Sequence, residues 1–213
     1  MTTHTDIDFH SLIPSDMDAS DLREVMGACI SPRPVALITT LGPGGVLNAA
    51  PFCNFMGVAT EPCLVAFALG RRAGEEKDTL KNIRETPYFV VNAVSVDMAE
   101  AMHHTAADYA RNRSEAEAAG FQSLPGAAQP VPRIAEAPIQ MECRVHQIVE
   151  LPVGDPTNAL IVGEVLRVHV WKDVVDVFPL PVATKWEPLG GIGDDYMLPG
   201  DTFSLPYPCP KDE

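Results

Sequence analysis

Positive charge is scarce in this sequence. Lys and Arg number 15 against 29 Asp and Glu, a net charge of −14 over 213 residues. Wrapping nucleic acid needs clustered cations that displace counterions, so that class is excluded, and an anionic membrane surface with it. Cysteine is sparse and odd in number: Cys29, Cys53, Cys63, Cys143 and Cys209. No pair shows CxxC spacing, so neither a disulfide framework nor a zinc site is implied. Free thiols fit a reducing cytosol, and a cytoplasmic location is the expectation. The first ten residues carry Asp6 and Asp8 and no apolar run, which is not the pattern of a secretory signal. Between Arg33 and Glu61 no residue is charged, a stretch of 27. Gly42, Pro43, Gly44, Gly45 and Pro51 interrupt it, with Asn48 and Asn54 between, so a β-hairpin is expected there and a membrane span is not. The GxGxxG, Walker and GxSxG patterns are absent, as are internal repeats.

What is present suits a core. Apolar residues make up 46% of the chain, and the length fits one larger domain. The 20 prolines favour short strands and turns over long helices. Helices are expected over residues 18–30, 78–85, 97–107 and 114–119. Strands are expected over 35–41, 46–52, 63–69, 88–94, 139–151 and 158–171. Strands and crossover helices do not alternate, so the fold class is mainly β, a barrel with helical insertions. The domain would span 18–178, after a loose N-terminal segment (1–17) and before a Pro-rich arm (179–213).

Two constellations carry chemistry. Five of the 15 cations, Arg71, Arg72, Lys77, Lys81 and Arg84, fall within 14 residues around the start of the helix at Asp78. A helix start presents unpaired N–H groups and a partial positive charge, and the Thr79 hydroxyl would add a neutral donor. This fits one small phosphorylated ligand; a solvated helix with local ion pairs fits as well. The second constellation is Asn48-Ala49-Ala50-Pro51-Phe52-Cys53-Asn54-Phe55. Its small residues let a backbone approach a flat ligand, and its amides could satisfy a polar ring edge. A barrel strand with core phenylalanine is the plain alternative. Cys53 as a nucleophile with His103, His104 or His146, and a metal on His103, His104 and Asp108, lack supporting spacing. His146 and His169 read as structural.

Several segments, taken in order, resemble the flavin reductase-like, FMN-binding split-barrel family, and its flavoredoxin-like branch in particular. They are Ser31–Thr40, Gly45–Asn54, Glu75–Arg84 followed by Tyr88–Asn92, Ile139–Cys143 and Ile161–Val165. The resemblance implies a six-stranded antiparallel split barrel of Greek-key type, a homodimer, and one FMN per subunit. It implies that Arg72, Lys77, Asp78 and Thr79 lie at the phosphate and ribityl end. Asn48, Ala49, Ala50, Pro51, Phe52, Cys53 and Asn54 would line the isoalloxazine edge, with Arg33, Pro34 and Val35 close by. Two departures stand out. Cys53 replaces a frequent Ser, and Gly191 in Pro188-Leu-Gly-Gly-Ile-Gly193 replaces a frequent Arg.

The activity implied is an FMN-dependent oxidoreductase that passes hydride from NADH or NADPH to the flavin. No side-chain catalyst is needed, because the flavin carries the chemistry. An FMN electron carrier for a protein partner and a non-redox module for a planar ligand are the alternatives.

Overall fold

A computed structural model describes residues 8–70, 75–151, 158–177 and 179–206. Helix α1 (Ala19–Cys29) starts at Asp18, whose carboxylate accepts the Ser20 and Asp21 N–H groups at 3.0 and 2.9 Å. Strand β1 (Arg33–Pro34) leads into β2 (Ala36–Leu41), and a Gly-Pro-Gly-Gly turn brings back β3 (Leu47–Phe52). Strands β4 (Phe55–Thr60) and β5 (Cys63–Leu69) form a second hairpin. Then come α2 (Asp78–Glu85), β6 (Tyr88–Ala93), α3 (Ala99–His104) and α4 (Glu115–Ala118). The short pair β7 (Ser123–Leu124) and β8 (Arg133–Ile134) precedes the long strands β9 (Ile139–Leu151) and β10 (Asn158–Val170). Two small hairpins follow: β11 (Val175–Val177) with β12 (Leu180–Pro181), and β13 (Gly190–Ile192) with β14 (Asp195–Met197).

The main sheet runs β3-β2-β6-β9-β10-β5-β4, antiparallel at every pairing. β3 and β4 are consecutive in sequence yet sit at opposite ends of that order. The corner at Cys53–Asn54 joins them, and the Asn54 carbonyl accepts the Ala68 N–H at 2.9 Å. The sheet therefore curls on itself as a split barrel. It has seven strands where six were expected. The additional strand is β4, an edge strand that buries almost nothing and so lacks the apolar alternation that marks a strand in sequence. Together β2, β3 and β4 account for most of the uncharged stretch. No helix among the described residues is long and apolar enough to cross a membrane. The helix expected over 97–107 is shorter: a 3-10 turn at Val96–Met98 runs into α3, and the residues after His104 form a loop.

Alternation along the strands divides the core in two. Ile38, Phe52, Phe67, Phe89, Val91 and Ile161 fill the barrel beneath α2. Leu37, Val90, Met102, Phe121 and Ile134 pack on the outer face with α3, α4 and residues 121–138, a proline-rich excursion between α4 and β9. Phe67 stands between Phe52 and Phe89, with ring centroids at 5.1 and 5.3 Å. Phe89 lies directly on the β10 backbone at Gly163, where an added Cβ would sit 2.3 Å from its Cζ. The sheet register shifts there, between Val162 and Gly163.

The excursion is fastened by Glu142, which is fully buried on β9. Its carboxylate accepts the N–H groups of Ala127 at 3.0 Å and Ala128 at 2.7 Å, and His169 Nε2 lies 2.6 Å away. Within the segment expected to be an extended arm, β13 pairs with β1, setting Gly191 opposite Arg33.

Candidate functional site

The edge of the sheet at β3 forms one wall of a cleft of about 400 Å³. Asn48, Ala50 and Pro51 supply that wall, and Lys77, Asp78 and Thr79 at the start of α2 adjoin it. Pro51 has no N–H to offer, which suits an edge strand and blunts it against pairing. The loop after α3, Thr105 to Tyr109, closes a third side, and Glu115 at the start of α4 lies at the base.

α2 covers the residues expected of it, with Lys77 as N-cap and Asp78 as the first helical residue. The Asp78 carboxylate faces Lys81 at 3.4 Å and Arg111 Nε at 3.9 Å. Glu76 is likewise engaged, with Arg84 at 2.8 Å. These pairings engage two of the five carboxylates that line the cleft, the others being Glu75, Asp108 and Glu115. Lys77 Nζ sits 5.1 Å from the centre of the Phe52 ring, within cation–π range. The Asp78 and Thr79 N–H groups of the first turn precede any i−4 carbonyl of the helix and are of the kind that serves an anion, while the Leu80 N–H is taken by the Lys77 carbonyl at 2.9 Å.

Beneath the cleft runs a buried polar chain. Glu115 accepts from Asn48 Nδ2 at 3.0 Å and from the Ala49 N–H at 3.1 Å. Asn48 Oδ1 accepts from the hydroxyls of Thr40 at 3.0 Å and Thr79 at 3.1 Å. Asn82 donates to Thr40 at 3.1 Å and accepts from Arg111 at 3.2 Å. Burial pushes the Glu115 carboxyl above its ordinary range, and the nearby Asp78 charge adds to this; the bonds from Ala49 and Asn48 oppose it.

The expected site residues fall into three groups. Asn48, Ala50, Pro51, Lys77, Asp78 and Thr79 converge on the cleft. Ala49, Phe52 and Val35 are buried in the core, although Ala49 gives its N–H to Glu115. Arg33, Pro34 and Cys53 gather instead at the β13–β14 hairpin. A Cβ on Gly191 would lie 3.6 Å from Cys53 Sγ and 3.8 Å from Arg33 Nη2, and Arg33 donates to the Gly193 carbonyl at 2.5 Å. Asn54 is exposed at the corner. Arg72 lies outside the described residues. At the hairpin, Tyr196 meets His103 Nδ1 through its hydroxyl at 3.0 Å, which gives His103 a partner that the metal reading did not foresee. Burial raises the Tyr196 phenol above its ordinary value, with Cys53 a lesser contributor.

The sequence reading missed Thr105, Ala106, Ala107 and Glu115 as parts of the cleft. For the loop a signal was there, since the Thr-Ala-Ala run at a helix end mirrors Asn-Ala-Ala at 48–50; for Glu115 there was none.

The family model described as the flavin reductase like domain matches residues 26–180. The crystal structure of nitrilotriacetate monooxygenase component B from Bacillus cereus superposes with a TM-score of 0.90 at 32% identity, covering 94% of this chain and all of that one. The 2-nitrobenzoate 2-nitroreductase NbaA of Pseudomonas fluorescens gives a TM-score of 0.84 at 31% identity, covering 96% and 99%. An uncharacterized Deinococcus radiodurans protein is 36% identical over 195 residues, 85% of this chain and 82% of that protein.

Proposed function

The chain belongs to the family of the flavin reductase-like domain, and from that premise we propose that it is an FMN-dependent oxidoreductase that takes hydride from NADH or NADPH. The observation that carries this reading is the cleft itself. A helix start suited to an anion, with Lys77, stands at one end, and a wall of small residues on the edge strand β3 leads away from it. Its volume of about 400 Å³ falls in the usual range for a small-molecule site.

FMN fits these residues. Lys77 and the first-turn N–H groups of α2 would hold the phosphate, joined by Arg72 from outside the described residues. Ala50 and Pro51 would let the ring lie against the strand. The ring would reach beyond the cleft along β3 toward the Cys53–Asn54 corner, whose main-chain donors would favour negative charge at its edge. When bound, FMN supplies the two-electron chemistry, accepting hydride at N5 from the nicotinamide. Every strand pairing of the described residues is antiparallel, and no βαβ dinucleotide unit occurs among them, so the nicotinamide would share the open side of the cleft.

The homodimer is part of the proposal. β4 is an edge strand whose Met56 and Val58 are about half exposed, a surface that a second copy would cover. The net charge of −14 keeps a second reading in play, an FMN electron carrier whose acidic surface steers a basic protein partner. One experiment separates them. Purified protein is titrated with FMN, then with NADH or NADPH, without oxygen, while the visible spectrum is recorded. Bound flavin bands that bleach with the nicotinamide support the reductase. Bands that bleach only with dithionite support the carrier. Failure to bind flavin defeats both.

A further inference from the structure

The buried chain under the cleft has a direction, and Glu115 sets it. A side-chain amide can present either end to its neighbours, but an ionised carboxylate only accepts. Both Glu115 oxygens receive N–H groups, from Asn48 and from Ala49. Asn48 must therefore turn its nitrogen to Glu115 and its oxygen to Thr40 and Thr79. A hydroxyl owns a single proton. Thr79 gives that proton to Asn48, so toward the cleft it offers only lone pairs.

We propose that Glu115 is the positioning residue that makes Thr79 an acceptor at the cleft wall, so that Thr79 recognises a ligand hydroxyl and not a phosphate oxygen. This departs from the sequence expectation that the Thr79 hydroxyl donates to an anion. The phosphate falls instead to Lys77 and the backbone donors of α2. The inference rests on the flavin reading, under which the hydroxyl facing Thr79 belongs to the ribityl chain.

Glu115→Gln tests it with little change of shape. The Ala49 N–H claims the one carboxamide oxygen, so the new NH2 faces Asn48. Asn48 then reverses, donates to Thr79, and frees the Thr79 proton to point into the cleft. Three flavins are titrated by fluorescence: FMN, riboflavin, and lumiflavin, which has the ring but no polyol. A ligand hydroxyl can answer by accepting that proton, at the cost of turning its own away, so Glu115→Gln should weaken FMN and riboflavin alike, by about two- to tenfold, and leave lumiflavin unchanged. Thr79→Val, which removes the bond outright, should weaken both by about tenfold or more, and Thr79→Ser should restore binding. Glu115→Gln should add nothing in the Thr79→Val background, because the two act through one bond.

Equal weakening of lumiflavin by Glu115→Gln would make Glu115 plain support for β3 and overturn the proposal. So would a loss that persists in the Thr79→Val background. If Glu115→Gln fails to fold, the Thr79 pair decides alone: loss of FMN but not riboflavin in Thr79→Val places a phosphate opposite Thr79 and refutes the assignment. Failure of the unaltered protein to bind any of the three flavins is a different outcome, which removes the flavin reading and this inference with it.

Discussion

Replacing Glu142 with Gln removes a buried charge on which the 121–138 excursion depends. The carboxylate is fully buried and takes the N–H groups of Ala127 and Ala128 together with His169 Nε2, at 2.6 to 3.0 Å. Arg133 Nε stands 3.7 Å off. Glu142→Gln keeps one acceptor oxygen and sets an NH2 against groups that are themselves donors. Bonds to a charged group are worth roughly 1.5–3 kcal/mol each, and about half that when neutral. Weakening two of these three and frustrating the third should cost about 2–4 kcal/mol. For a chain near 200 residues that lowers Tm by roughly 5–15 °C. The pH dependence is a second mark. Burial alone would raise the Glu142 carboxyl, but the bonds from Ala128, Ala127 and His169 outweigh it and hold it below the usual value of 4.5. A depressed acid stabilises the fold above its unfolded value and loses that contribution as pH falls through the folded one. The gap between the two proteins should thus be widest near neutrality and shrink toward pH 3. Urea unfolding of flavin-free protein at both pH values measures it without ligand stabilisation. A gap below about 0.5 kcal/mol at pH 7, or the same gap at both pH values, would refute the view of Glu142 as an ionised anchor.

Other outcomes are equally specific. Replacing both Arg72 and Lys77 with Ala should weaken FMN about tenfold to a hundredfold and riboflavin hardly at all, since charge-assisted bonds to the phosphate are lost; equal losses in a calorimetric titration would contradict the assignment. Gly163→Ala should destabilise by about 1–3 kcal/mol, because the new methyl collides with Phe89, and Phe89→Leu should recover part of that loss in thermal unfolding. Asp18→Ala, which removes the cap of α1, should cost about 1 kcal/mol while leaving flavin affinity unchanged.

Periodicity and breakers carried most of the fold. Cys63–Leu69, Asp78–Glu85 and Ile139–Leu151 begin and end where apolar runs meet Pro, Gly or a charged turn. β4 escaped for a physical reason: both its faces are open, so nothing in its side chains records a buried side. The β13–β14 hairpin escaped for another. Prolines around it suggested an extended chain, whereas its fixing contacts come from far away in sequence, from Arg33 and from Gly27, whose carbonyl accepts the Gly193 N–H.

The same distinction separates what was legible in the cleft from what was not. The α2 start was readable because a helix terminus and its cations are local features of one segment. The β3 wall was readable because small residues lie between two amides, Asn48 and Asn54, in one short segment. Glu115 was not, because its meaning lies in Asn48 and Ala49, more than sixty positions earlier. An acidic residue just inside a short capped helix has an ordinary local explanation, a favourable charge in the first turn. Only the fold brings it beneath the cleft, with both oxygens engaged and its acceptor character transmitted through Asn48 to Thr79. Sequence thus exposes the residues that meet a ligand more readily than those that decide which atom each of them presents.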